Sequence, residues 1–146
     1  MVPPIVPFTT LLLAAGIIAV LFFRRSGGKT TELAEGGLQI PLSASFSSLK
    51  GAGPFGGGHN NLNPLLVLHA DGVEYRVIRR TTVPNADISA VDVAGPNLLL
   101  TFANSAFTFT GKTRDRQALA AALRFLRDKR CPLSANAEAA ADRSPN

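Results

Sequence analysis

No lysine, arginine, aspartate or glutamate occurs in the first 23 of the 146 residues, so every formal charge lies beyond them. That asymmetry divides the chain before any motif is considered. Residues 5–23 run Ile-Val-Pro-Phe-Thr-Thr-Leu-Leu-Leu-Ala-Ala-Gly-Ile-Ile-Ala-Val-Leu-Phe-Phe and show no polar face. As a helix they would reach roughly 28 Å, against a hydrocarbon core of about 30 Å, so the pattern predicts an N-terminal transmembrane helix. Pro3, Pro4 and Pro7 fall where a helix start tolerates missing amide donors. Thr9 and Thr10 can bond back to the helix backbone. A cleavable signal peptide needs a basic n-region and a small-residue cleavage site. Here the N-terminus has no basic side chain, and Leu21-Phe22-Phe23 is a poor cleavage context. Arg24, Arg25 and Lys29 follow instead. Cytoplasmic flanks are enriched in such residues. The expectation is therefore a single-pass protein of the cell membrane, N-terminus outside, with its soluble domain cytoplasmic.

Beyond the apolar stretch, residues 24–37 carry Gly27, Gly28, Gly36 and Gly37 and are expected to form a flexible tether spanning roughly 20 Å. Residues 38–131 are expected to hold one folded domain. The Ala-, Ser- and Asn-rich segment 132–146 is expected to be a disordered tail. Roughly 100 residues outside the stretch and tails suffice for one domain and not two. The net charge of +5 suits anionic lipid, an acidic protein surface or nucleic acid, or serves general solubility. Cys131 is the single cysteine, which excludes an intramolecular disulfide and any Cys-based metal framework.

Within the domain, Leu38, Ile40, Leu42, Ala44 and Phe46 alternate with polar residues and Pro41, the pattern of a half-buried strand. Pro41 cannot donate to a ladder, which places that strand at an edge or gives it a break. Residues 65–69 form a second apolar run. Asp71-Gly72 then turns the chain toward Val73, Tyr75 and Val77, a hairpin signal. Residues 88–93, 98–102 and 106–110 complete about six strands in an antiparallel meander. The last element differs: Leu119, Leu123 and Leu126, widened by Ala118, Ala122 and Phe125, recur at helical spacing. Thr113 or Asp115 can cap it, and Cys131-Pro132 can end it. The predicted fold class is α+β: a transmembrane helix, then a bent antiparallel sheet or partial barrel closed by one C-terminal amphipathic helix.

This arrangement resembles the small bacterial pleckstrin-homology-like (PH-like) domains over roughly residues 38–130. The stretch Leu-His-Ala-Asp-Gly-Val-Glu-Tyr-Arg from Leu68 carries the resemblance, with the polar-Ile-x-x-Val turn at Asp87, Ile88 and Val91. The resemblance implies a scaffold or binding module. Lipid-binding members carry several basic residues around the first strand–loop–strand. Lys50 stands alone there, which argues against specific inositol-phosphate recognition.

Other motifs yield no chemistry. Gly28-Lys29-Thr30 echoes the end of a phosphate-binding loop, but the glycine the full motif needs is Phe23. Gly51, Gly53 and Gly56 spell GxGxxG, yet Gly57-Gly58-His59 follows where a dinucleotide site needs a helix. His59 and His69 lack ligands at metal spacing, and no Gly-x-Ser-x-Gly elbow exists. No catalytic, cofactor-binding or metal-binding residue is assigned, and the chain is read as a non-enzyme. Arg76, Arg79 and Arg80 crowd one strand end; Arg116, Arg124 and Arg127 load the helix. They form either a solvated face or a contact surface for anionic headgroups or an acidic partner. Nucleic acid is not expected, because no aromatic residues interleave with them. The functional expectation is a membrane-tethered, non-enzymatic binding module that docks a protein partner or anionic lipid through its sheet edge or basic patch. The alternative is an accessory subunit of a larger membrane complex.

Overall fold

The computed structural model describes residues 30–51 and 57–143. Ten strands, β1 (Thr31–Glu32), β2 (Leu38–Gln39), β3 (Leu42–Leu49), β4 (His59–Asn60), β5 (Leu65–Leu68), β6 (Gly72–Arg76), β7 (Arg80–Pro84), β8 (Ile88–Ala94), β9 (Asn97–Phe102) and β10 (Phe107–Thr113), precede helices α1 (Arg116–Asp128) and α2 (Ala135–Asp142). The strands form two antiparallel five-stranded sheets, ordered β1-β2-β5-β6-β7 and β4-β3-β10-β9-β8.

This corrects the expected architecture. The transmembrane helix expected over residues 5–23 lies outside the described residues, and among those described no helix is long and apolar enough to cross a membrane. The fold is β-rich, with two sheets and two helices in place of one six-stranded sheet and a single closing helix. The expected tether also changes from Thr30 onward. Residues 31–39 fold as a small hairpin, with Gly36 at φ 76° and Gly37 packed where a Cβ would lie 2.9 Å from the Leu68 carbonyl oxygen.

The chain passes between the sheets three times. At the first, Pro41 divides the alternating run: β2 stays in one sheet and β3 begins in the other. At the second, the chain returns from β4 to β5 over residues 61–64, and at the third a 3-10 turn over Asn85–Asp87 links β7 to β8. The inner faces share one core that includes Leu66, Leu68 and Val73 from the first sheet and Leu98, Leu100, Phe102 and Phe109 from the second. Tyr75 crosses the gap, its ring 5.4 Å from Phe102 and 4.7 Å from Phe109.

Helix α1 begins where Asp115 caps it, its Oδ1 accepting from the Ala118 amide at 2.7 Å. Thr113 has a different task, its hydroxyl donating to the Pro96 carbonyl. Ala118, Leu119, Ala122, Leu123 and Leu126 bury one face against β5 and β10, one strand from each sheet. The helix ends in a Schellman motif: Cys131 N–H donates to Leu126 O, Arg130 N–H to Arg127 O, and Arg130 sits at φ 61°. The stop therefore comes before Cys131-Pro132.

The tail expected to be disordered is ordered as far as Arg143. Val91 N–H donates to the Pro132 carbonyl and Ser134 N–H to the Val91 carbonyl, both at 2.8 Å, so residues 132–134 cross the outer edge of β8. Ser134 then caps α2 by accepting from Ala137 N–H, and its hydroxyl donates to Asp92 at 2.5 Å. Ala137 and Ala141 are fully buried in the same core. Small side chains, which sequence hydropathy barely registers, let α2 lie close against α1.

Candidate functional site

The six arginines expected to form a contact surface do not act as one group. Arg76 closes β6 half-buried, its carbonyl accepting from the buried Ser45 hydroxyl at 2.7 Å. Arg79 is exposed in the β6–β7 turn. Arg80 opens β7, and its Nε sits 2.9 Å from Glu74, whose other oxygen is 3.0 Å from His69 Nε2. Arg116 is exposed in the first turn of α1. Arg124 and Arg127 hold α2. Arg124 donates to the Ala141 carbonyl at 3.3 Å, while Arg127 reaches Asp142 at 2.7 Å and Glu138 at 3.3 Å. The hydrogen bond to Asp142, followed by that to Glu138, raises the Arg127 guanidinium further above its ordinary range. Two helix arginines thus serve internal packing, a role the leucine stripe gives no hint of.

The strand that Arg80 opens is the more distinctive feature. Strand β7 is the outer strand of its sheet, pairing with β6 from Gly72↔Pro84 to Arg76↔Arg80. Asn85 N–H donates to Asp71 O, one residue past Gly72↔Pro84, and His69 N–H donates to Gly72 O on the β5 side. In an antiparallel ladder the backbone groups alternate sides. Thr81 and Val83 therefore spend their backbone groups on β6, and Arg80, Thr82 and Pro84 direct theirs outward. Among the described residues nothing covers that edge. Its proline falls at an outward position, where no ladder bond is lost. Gly72 is needed opposite it, since a Cβ there would lie 2.6 Å from the Val83 carbonyl oxygen.

The other sheet edges differ. Strands β1 and β4 are two-residue strands, and β8 is crossed by residues 132–134. Sequence reading missed β7 because Arg80-Thr81-Thr82-Val83-Pro84 has no apolar alternation; only Val83 is partly buried. The β-branched run Thr-Thr-Val was the available signal.

Elsewhere the geometry supplies little chemistry. A shallow cavity of about 130 Å³ lies beside the Pro41 break, between Gln39, Pro64, Leu65 and Arg114. Ligand pockets typically exceed about 300 Å³. His59 stacks on Phe46 at 4.7 Å. Among the described residues no three of His, Cys, Asp and Glu converge as metal ligands. Strand β1 follows Thr30 and β4 follows Gly57–Gly58, so neither glycine motif opens a helix. Burial raises the Cys131 thiol above its ordinary range and also raises the Tyr75 hydroxyl, a bond from Thr81 opposing the latter.

The fold and this edge together define a small two-sheet β-rich domain with an open strand. No protein-family model matches the chain, and comparison with curated proteins finds no match.

Proposed function

We propose that this chain is a non-enzymatic binding module that docks an extended segment of a protein partner along β7, working at the cytoplasmic face of the cell membrane. The open, five-residue outer strand carries the reading. An added strand would satisfy the outward backbone groups of Arg80 and Thr82, and alternate side-chain contacts would supply specificity. Arg79 and Arg80 at the start of the strand favour acidic residues in the partner. The resemblance to PH-like domains also favours binding over catalysis. The uncharged first 23 residues and the basic Arg24, Arg25 and Lys29 support the membrane location.

The test is capture of partners by the full chain in native detergent, read by mass spectrometry, with Thr82→Pro beside the wild type. That substitution removes one outward N–H and leaves the β6 ladder intact. Proteins captured by the wild type and lost with Thr82→Pro support the reading. Capture unaffected by the substitution moves the contact away from β7. Salt-sensitive binding to anionic vesicles that survives it would transfer the role to Arg76, Arg79 and Arg116.

A further inference from the structure

The docking reading leaves the occupant of the edge open. We propose that a second copy of this chain occupies it, with β7 pairing antiparallel to β7 of its twin about a two-fold axis at Thr82. The inference rests on the docking reading and adds the identity of the partner.

Three features of β7 favour this pairing. First, the outward groups fit. With Thr82 opposite Thr82 of the other copy, the two residues exchange both backbone bonds, the geometry of a hydrogen-bonded antiparallel pair. Arg80 then falls opposite Pro84, and its N–H meets a carbonyl that a proline still provides. The missing proline donor leaves only the Arg80 carbonyl to solvent. Second, the charges fit. The start of the edge carries Arg79 and Arg80, and its far end carries Asp71 and Asp87 around Asn85. An antiparallel two-fold brings Arg79 of each copy beside Asn85 of the other, at the acidic end. A register centred on Thr81 makes the two Arg80 side chains diagonal neighbours, and one centred on Arg80 opposes them directly, which is unfavourable. One centred on Pro84 has no donor at the axis. Third, Thr82 faces Thr82 on the outer face, a favourable cross-strand pair, while Thr81 faces Val83 of the twin on the inner face. The β1-β2-β5-β6-β7 sheet of one copy would then continue into the same sheet of the other across the axis.

The test uses the full chain in mild detergent with Cys131→Ala, so that an introduced cysteine is the only thiol. Opposed Cα atoms in such a pair lie about 5.5 Å apart, within disulfide range. Thr82→Cys is expected to give a disulfide-linked dimer under mild oxidation, at about tenfold or greater yield than the exposed control Asp128→Cys. Thr82→Pro is expected to weaken association by about tenfold or more in sedimentation equilibrium, since it deletes a backbone bond from each copy at the axis. Cross-linking at Thr81→Cys in preference to Thr82→Cys overturns this register. A monomer at every concentration overturns the self-pairing, and if other proteins are still captured in a manner sensitive to Thr82→Pro, the docking reading stands without it. A monomer with no such capture overturns both.

Discussion

Arg130 shows how a single residue departs from local preference for the sake of its neighbours. It holds φ 61° at the end of α1, a conformation that suits glycine. The position is fixed because Cys131 must turn back, its N–H reaching Leu126 O at 3.0 Å while both side chains are buried. An L-residue in the left-handed region costs roughly 1–2 kcal/mol, part of which glycine returns through its greater freedom when unfolded. Arg130→Gly is therefore expected to stabilise the domain by about 1 kcal/mol, read from the urea midpoint. An unchanged or lower midpoint contradicts the strain argument. Gly72 is the opposite case. Its φ is not positive, so the Asp-Gly pair does not act as the left-handed turn its spelling suggests. Close approach of the β7 backbone is what demands glycine there.

At the scale of elements, the C-terminal segment matters most. Strand β8 is the outer strand of its sheet, and exposed edges invite pairing with other chains. Residues 132–134 cover the middle of β8, α2 packs on α1, and Arg124 and Arg127 fasten its far end. Ser134 serves both the cap and the Asp92 bond. Ser134→Ala should cost about 1 kcal/mol, the usual value of a lost N-cap. It should also quicken hydrogen exchange at the Val91 amide, which donates to Pro132, while the Leu100 amide inside the sheet keeps its protection. Equal acceleration at both positions would mean that the segment unfolds only with the whole domain. Replacing Arg124 and Arg127 would likewise loosen α2, so a loss of vesicle binding in those variants would not by itself identify a lipid-contacting surface.

For the whole molecule, the two sheets and both helices share one core, and α1 touches a strand from each sheet. Leu123 is fully buried at that junction. Leu123→Ala should destabilise by about 2–5 kcal/mol, the range for emptying a buried leucine site. Tyr75, the single tyrosine in a chain without tryptophan, lies between the sheets and reports their packing by fluorescence. Its transition should coincide with the loss of backbone circular dichroism in both the wild type and the variant. Separate midpoints would divide the domain into independent units.

The sequence by itself determined the parts whose signals are local. Alternation marks β3 and β6, and short apolar runs mark β5 and β9; Gly95, at φ 59°, and Pro96 mark the β8–β9 turn; the leucine stripe marks α1 and its buried face. Pro41 announced an edge or a break, because a missing N–H is a local fact. Only the tertiary structure decided what depends on neighbours. It placed the two sides of Pro41 in different sheets, made Thr-Thr-Val an outer strand although it buries little, and ordered an alanine-rich tail. Alanine carries little hydropathy yet packs closely once a helix face and an uncovered strand edge are in place. The candidate site follows the same division. The arginines are visible as charges in the sequence, but which of them pair internally, and which backbone groups face outward from β7, is fixed only by register and partners.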